Sequence, residues 1–447
     1  MPGRVQWCDG PHEDFGPLLP GTADATRPEV FLCPEKEVDA GPTNRWRPPA
    51  EMKVLLRDLF QGSMRGRTMH VVPFLLGPPG SVFAQVGVEI TDSPAVAAGM
   101  TTLPGVGRVA LDELGDGGTF VACLHSGGAP REPAERWIVH FPEERSVWSY
   151  GSSGGGDPLP VRESVGLRLA SAMGRDDGWL AENMLVVGLT PPGGETRYLA
   201  AAFPPGCGKT TLAGMVPGLP GWRRRTVSHD IAWMRLGDDG RLWTVDPLAP
   251  EGDDPGGVPV SAILFANRRS SVVPLVTEAT SWRHGVFLGS TMAAETGDHL
   301  RRDPFAMLGL CGYDIGDYLG QWLSVGASAD PSKLPRLFSV NWFRTGPDGR
   351  CLWPGYGENS RVLAWVLERL AGRAVAVRTP AGLVPAPAGL DTTGVDVAPG
   401  ALGDLLRVDR DGWRAEVASI EEHYAALGQR VPFELVDELR ALAGRLA

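Results

Sequence analysis

Apolar positions along the chain follow two periods, one near 3.6 residues and one of 2. The first sixty or so residues are Pro-rich and irregular, and close on AEMKVLLRDLF, whose apolar spacing of three and four predicts a short helix. RTMHVVPFLLG, near 67–77, reads as a buried strand running into a Gly-Pro turn, with VGVEITDSP and TFVACLHS as further strands. RWIVHFPEERSVWSYGSS predicts a hairpin, two β-rich runs around a charged turn. GGGDP at 154–158 is a turn that could admit a ligand close to the backbone. VRESVGLRLASAMGRDDGWLAENM reads as one helix, and MLVVGLT and RYLAAAFP as two strands after it. Residues 246–261 are expected to form an exposed acidic loop, and 373–400 to alternate Val-rich strand with Pro-Gly turn. From about 402 the pattern is amphipathic helix to the end. No internal repeat is visible, and the mixture predicts an α/β or mixed α+β protein.

The strongest local signal is LAAAFPPGCGKTTLAGM at 199–215. A hydrophobic strand enters a Pro/Gly turn that ends in Gly208-Lys209-Thr210 and opens a helix. Backbone N–H groups there could face a phosphate, the lysine could supply a point charge, and the threonine hydroxyl could hold magnesium. Phe203 stands where the common G-x-x-x-x-G-K-S/T pattern has its first glycine, so taken alone the triplet could also be an ordinary helix start. Downstream, Thr226-Val227-Ser228-His229-Asp230 is a strand ending in an acid. Such a carboxylate serves a nucleotide's metal, or simply caps a turn.

Composition narrows the field. A chain of 447 residues with 43% hydrophobic and 21% charged content can bury two or three ordinary cores. A net charge of -11 argues against a general polyanion binder, so no nucleic-acid partner is expected. The only lysines are Lys36, Lys53, Lys209 and Lys333, which draws attention to the one in the Gly-Lys-Thr turn. Six scattered cysteines form no CxxC pair and suit a reducing cytoplasm. No signal core is visible at the N-terminus and no stretch approaches the roughly 18 apolar residues a membrane span requires. A monomer acting in the cytoplasm on a small molecule is expected.

FPPGCGKT followed by HDIAWMR and then VNWFRTGPDGRCLWPGYGENSRVL resembles the GTP-dependent phosphoenolpyruvate carboxykinases. CDGPHEDFG, EKEVDAGPTN, MRGRTMHVVPF, VEITDSP, DDGWLAENML, ATSWRHGVF and DPFAM resemble other blocks of that family in the same order. The resemblance implies a two-domain fold with an active-site cleft between a substrate-side domain (1–178) and a phosphate-loop nucleotide domain (179–447). It also implies conversion of oxaloacetate and GTP to phosphoenolpyruvate, carbon dioxide and GDP. Magnesium would accompany the nucleotide, and a second ion, Mn2+ or Mg2+, would sit beside the acid. Pro205, Gly206, Gly208, Lys209, Thr210 and Thr211 fall in the family's phosphate loop. Lys209 would contact the phosphates, Thr210 the magnesium and Asp230 the second metal. Cys207 matches a reactive cysteine. Arg268 or Arg269 would lie near the transferred phosphate. Phe343, Tyr356 and Asn359 match a guanine pocket, with Cys351 where a further phenylalanine is usual.

The departures from the family fall on the acid side. Glu163 and Asn183 stand where it has a metal-binding lysine and histidine, so a second metal would meet an oxygen set with less preference for manganese, or the site is gone. His229 replaces the first of two paired aspartates. Pro205 replaces a substrate-contacting serine, and Gly154 a tyrosine, leaving Gly155 and Gly156 as substrate contacts. Ala25 stands for a carboxylate-clamping arginine that Arg27 could replace. A long insertion is reduced to 246–261, and the lid between Met292 and Asp303 is shortened. Three functions fit: a GTP-dependent phosphotransferase acting on a small acid other than oxaloacetate, an authentic compact carboxykinase, or a non-catalytic GTP-binding protein. The retained donor residues favour the first.

Overall fold

The computed structural model describes residues 1–8, 28–127, 136–151, 160–249, 256–297, 299–386, 388–398 and 400–447. Two compact units emerge. The first holds Met1–Ala181, Val245–Gly257 and Gly309–Asp314; the second holds Glu182–Thr244, Val258–Leu308 and Ile315–Ala447. The break after Ala181 compares with the one expected after residue 178. The two later segments belonging to the first unit have no counterpart in the sequence reading.

In the first unit, strands β1 (Arg4–Trp7), β2 (Glu29–Leu32), β3 (Thr68–Leu76), β4 (Gln85–Thr91), β5 (Val121–Ser126), β6 (Trp137–Phe141) and β7 (Ser146–Tyr150) form one mixed sheet. Its order is β1-β3-β4-β5-β7-β6-β2. β6 and β7 are the hairpin the sequence predicts, paired from Trp137↔Tyr150 to Phe141↔Ser146. The helix Pro49–Phe60 buries Met52 and Leu56 in a cluster with Phe31, Trp137 and Phe141, as its apolar spacing requires.

The long helix expected over 161–184 is shorter. A wide π-type helix, Pro160–Leu169, leads into an α-helix, Ala170–Asp177, which Gly178 ends in a left-handed conformation at φ 79°. Leu180–Glu182 is then a strand, β8. All three of its residues are buried.

The second unit is built on β9 (Met184–Thr190), β10 (Arg197–Ala202), β11 (Arg223–Ser228), β12 (Ala232–Leu236), β13 (Leu242–Val245), β14 (Val258–Asn267) and β15 (Val276–Glu278), then β16 (Ala293–Thr296), β17 (His299–Arg302), β18 (Arg336–Asn341), β19 (Ala376–Thr379) and β20 (Gly382–Pro385). The main path is β11-β9-β10-β14-β18-β15-β20-β19. β10, β14 and β18 are mutually parallel at its centre, which explains their near-continuous apolar runs. Leu199, Ala201, Leu264, Phe338 and Val340 lie in one core cluster with Trp365 of the helix Asn359–Leu370. β14 begins at Val258, so 258–261 are strand, with Val258 and Val260 buried, and not part of an exposed loop.

Candidate phosphate site

In a parallel sheet the carboxyl ends of neighbouring strands share an edge, where ligands usually bind. The ends of β10, β14 and β18 bring three segments to that edge: the phosphate loop, Arg268 and Asn341–Phe343. Asn341 ties two of them together. Its carboxamide oxygen accepts from Arg269 N, and its nitrogen donates to the carbonyls of Arg269 and Val273.

After β10, Phe203 turns into the core at 3% exposure, which is why an apolar residue stands where a glycine is common. Gly206 and Gly208 follow at φ 79° and 99°, conformations open to glycine at little cost. The helix Lys209–Ala213 starts there, with Thr210 and Thr211 exposed. Pro205 is also exposed. Arg268 donates to the Gly206 carbonyl at 2.9 Å and lies 4.8 Å from the centre of the Phe343 ring.

Lys209 is the centre of the cluster. Its Nζ is 2.8 Å from Asn183 Oδ1, 3.1 Å from Asp230 Oδ1 and 3.3 Å from the Asp230 carbonyl oxygen. Burial pushes the ammonium's pKa down, and Asp230 offsets part of that shift. A register shift between Thr226 and Ser228 bends the strand just before Asp230. Asn183 is fixed at both ends, because its NH2 donates to the Ala306 carbonyl at 3.0 Å.

Two expectations need correction. Cys207 is fully buried, and burial pushes its thiol up to about 12 despite the nearby Arg268 charge. It is a protonated thiol near neutral pH, unlike the reactive cysteine that the resemblance implies. Arg269 is 6% exposed and held by Glu295 and Glu416, so its guanidinium is a structural tie and Arg268 is the arginine at the loop.

Asn359 is 4% exposed, and its Oδ1 accepts from Trp353 Nε1 at 2.9 Å. Tyr356 is exposed, left-handed at φ 47°, and donates to the Gly214 carbonyl. Cys351 is exposed. The segment expected to be a shortened lid forms a hairpin of β16 and β17, paired from Ala293↔Arg302 to Thr296↔His299. It is tied down by backbone bonds between Arg268 and both Ala293 and Glu295.

Glu163 is exposed on the π-type helix of the first unit. Ala25, Arg27, Gly154, Gly155 and Gly156 lie outside the described residues. Among the described residues, no three His, Cys, Asp or Glu side chains gather as a metal site. Asn183 and Asp230 nevertheless offer hard oxygens, which suit Mg2+ or Mn2+. Sequence reasoning missed Ala306, Glu295 and Glu416. DPFAM was visible as a family block, but nothing local in it points to an orienting carbonyl.

The chain is similar to known proteins over its whole length. Residues 21–175 match the family described as phosphoenolpyruvate carboxykinase N-terminal domain. Residues 179–249 and 244–445 match its C-terminal P-loop domain. A phosphoenolpyruvate carboxykinase [GTP] of Arthrobacter sp. (strain FB24) is 40% identical across all of this chain and 94% of its own length. One from Treponema pallidum (strain Nichols) is 39% identical over the same shares. One from Chlamydia muridarum is 40% identical over 93% of this chain and 86% of its own. The Arthrobacter alignment runs over 577 positions against 447 residues here, so this chain is a shortened relative. It belongs to the GTP-dependent phosphoenolpyruvate carboxykinase family of enzymes.

Proposed function

We propose that this chain is a compact carboxykinase that converts oxaloacetate and GTP to phosphoenolpyruvate, carbon dioxide and GDP. The observation that carries the reading is Lys209, set on the phosphate loop between Asn183 and Asp230, with Arg268 bonded to the same loop. The matched relatives give no support to an acid other than oxaloacetate, the substrate first expected from the exchanged acid-side residues.

In this reading the C–C bond to the departing carboxylate breaks and leaves its electrons on an enolate. The enolate oxygen then forms a bond to the γ-phosphorus as the bond to the β-phosphate oxygen breaks. Such transfer depends on positioning and charge. Lys209 and the amides at Gly206–Thr210 hold the phosphates, and Arg268 neutralises charge beside Gly206. Thr210 presents its hydroxyl for the nucleotide's Mg2+. A divalent ion, when bound, supplies further neutralisation at phosphate and carbonyl oxygens. Asn359, with its oxygen bonded to Trp353, presents its NH2 to an acceptor such as a guanine carbonyl. Phe343 carries Arg268 on its ring, and Tyr356 supplies an exposed ring for the base.

The test is a coupled assay for phosphoenolpyruvate with oxaloacetate, GTP and Mg2+. Lys209→Ala should lower kcat/KM about 100-fold or more. GTP bound without turnover, or turnover only with another acid, would overturn the proposal.

A further inference from the structure

The second unit carries a cavity away from the phosphate loop. Its volume is about 820 Å³, and it lies at the amino ends of β10, β14 and β18, where Arg197, Val260 and Arg336 line it. β10, at six residues, sets that end roughly 17–20 Å from the carboxyl edge of the sheet. The size suits a small molecule. Ligands of parallel sheets usually meet the opposite edge, so what distinguishes this cavity is its side chains.

Among the described residues, five cations line it: Arg197, Arg241, Lys333, Arg336 and Arg373. Only three carboxylates do, and the imbalance runs against the chain's net charge of -11. The excess arises because acids are shared. Arg197 and Arg373 face one acid each, Glu195 and Glu368. Asp239 serves both Arg241, at 3.9 Å, and Lys333, whose Nζ donates to the Asp239 carbonyl at 2.8 Å. Glu278, buried and outside the lining, serves both Arg336 and Arg369. Two turns hold Arg241 and Lys333 together. Asp239 Oδ1 accepts from Arg241 N and Trp243 Nε1 at 2.9 and 3.1 Å, and Asp330 Oδ1 accepts from the amide and hydroxyl of Ser332 at 2.9 and 2.8 Å. Gly240, at φ 77°, gives the Lys333 stem its seat, since a Cβ there would stand 3.0 Å from Lys333 Cδ. Cations already placed lose little freedom when a ligand arrives. Trp222, half-buried against the core, adds an apolar wall with Leu367 and Leu370.

We infer that this cavity binds a small organic polyanion, with its carboxylate or phosphate groups on Lys333, Arg241 and Arg336 and its carbon skeleton against Trp222. The site is separate from the phosphate loop, and the inference does not depend on the carboxykinase reading.

The test is isothermal titration calorimetry at low ionic strength, where exposed charges are least screened. Citrate represents the carboxylates, glycerol 3-phosphate the phosphate esters, and inorganic phosphate the bare ion. Citrate or glycerol 3-phosphate should bind, one per chain, with a Kd below about 1 mM and about 10-fold or more below that of inorganic phosphate. Which of the two binds more tightly identifies the anionic group. The Kd should be the same in Lys209→Ala, and about 10- to 100-fold weaker in Arg241→Ala with Lys333→Ala. A thermal melt checks each fold, and Lys333→Gln or Lys209→Gln serves where an alanine variant unfolds. No saturable heat from either organic anion would overturn the inference, as would equal binding of inorganic phosphate. Undiminished binding in the double variant, or binding lost in Lys209→Ala, would overturn it too. Failure of the carboxykinase reading would show separately, as no phosphoenolpyruvate formed, which these titrations do not read.

Discussion

Glu416→Gln tests whether a buried ion cluster anchors the edge of the phosphate site. Glu416 lies on the helix Arg410–Leu427 at 7% exposure. Its carboxylate binds Arg269, next to Arg268, and accepts from Arg302 Nη2 at 2.6 Å, at the end of the β16–β17 hairpin. Burial pushes its pKa up, but the two arginines outweigh that and hold it below the ordinary glutamate range. Glutamine keeps the shape and removes the charge. Breaking a buried pair typically costs 3–5 kcal/mol because a charge is left uncompensated. Arg269 retains Glu295 at 2.8 Å, and the amide oxygen still accepts, which favours the lower end, about 3 kcal/mol. For a unit of this size that is a fall in Tm of roughly 6–12 °C. Thermal unfolding at pH 7.5 reads it directly. The sign with pH follows from the depressed folded value: the carboxylate's contribution is present above the unfolded glutamate pKa and is lost as pH falls through the folded one. The gap between wild type and variant should therefore shrink in acid. Glu368→Gln, which breaks an exposed pair with Arg373, should cost less than about 1 kcal/mol. A Glu416→Gln change no larger than that of Glu368→Gln would refute the reasoning.

Three further outcomes are expected. Arg268→Ala should lower kcat/KM for GTP about 10- to 100-fold with little change in Tm, since the exposed side chain bonds the Gly206 carbonyl and lies over the Phe343 ring; steady-state kinetics and a melt check both. Iodoacetamide at pH 8 should label Cys351 in the native protein and spare Cys207, as read by peptide mass spectrometry, because the first is exposed and the second is buried with its thiol pushed up to about 12. Glu182 is fully buried, and burial pushes its carboxyl up to about 8 despite hydrogen bonds from Tyr318 and Trp322. A folded value above the unfolded one gives stability that is full below about 4.5 and declines as pH rises to about 8. Glu182→Gln should make that decline shallower in urea unfolding between pH 5 and 8, with the remainder kept by Glu89, which burial raises in the same direction.

Much of this was legible in the chain because the signals are local. The β6–β7 hairpin, the strands flanking the phosphate loop and the terminal helices each carry their own period. The phosphate loop declared itself through Gly206, Gly208 and Lys209, whose backbone needs and charge are properties of the residues themselves. Counting back from the loop set Asn183 at a metal position of the family; its contact with Lys209 was not part of that reading. Long-range facts were not legible. Arg268 and Arg269 look alike in sequence, and what separates a structural tie from the arginine at the loop is contact with Glu295 and with Glu416, 26 and 147 residues from Arg269. Leu180–Glu182 suits a helix by propensity, but Gly178 stops the preceding helix and burial recruits those residues as a strand. Cys207 matches a reactive cysteine by resemblance, and its enclosure, which sequence does not show, argues the other way. In each case tertiary burial decided between readings that local sequence leaves equal.

The most direct measurement is phosphorus NMR of the purified protein with GTP, Mg2+ and oxaloacetate. Loss of the γ-phosphate resonance, matched by equal growth of phosphoenolpyruvate and GDP and absent in Lys209→Ala, is the predicted result. A γ-phosphate signal that decays only to inorganic phosphate, or that decays equally in Lys209→Ala, would contradict it.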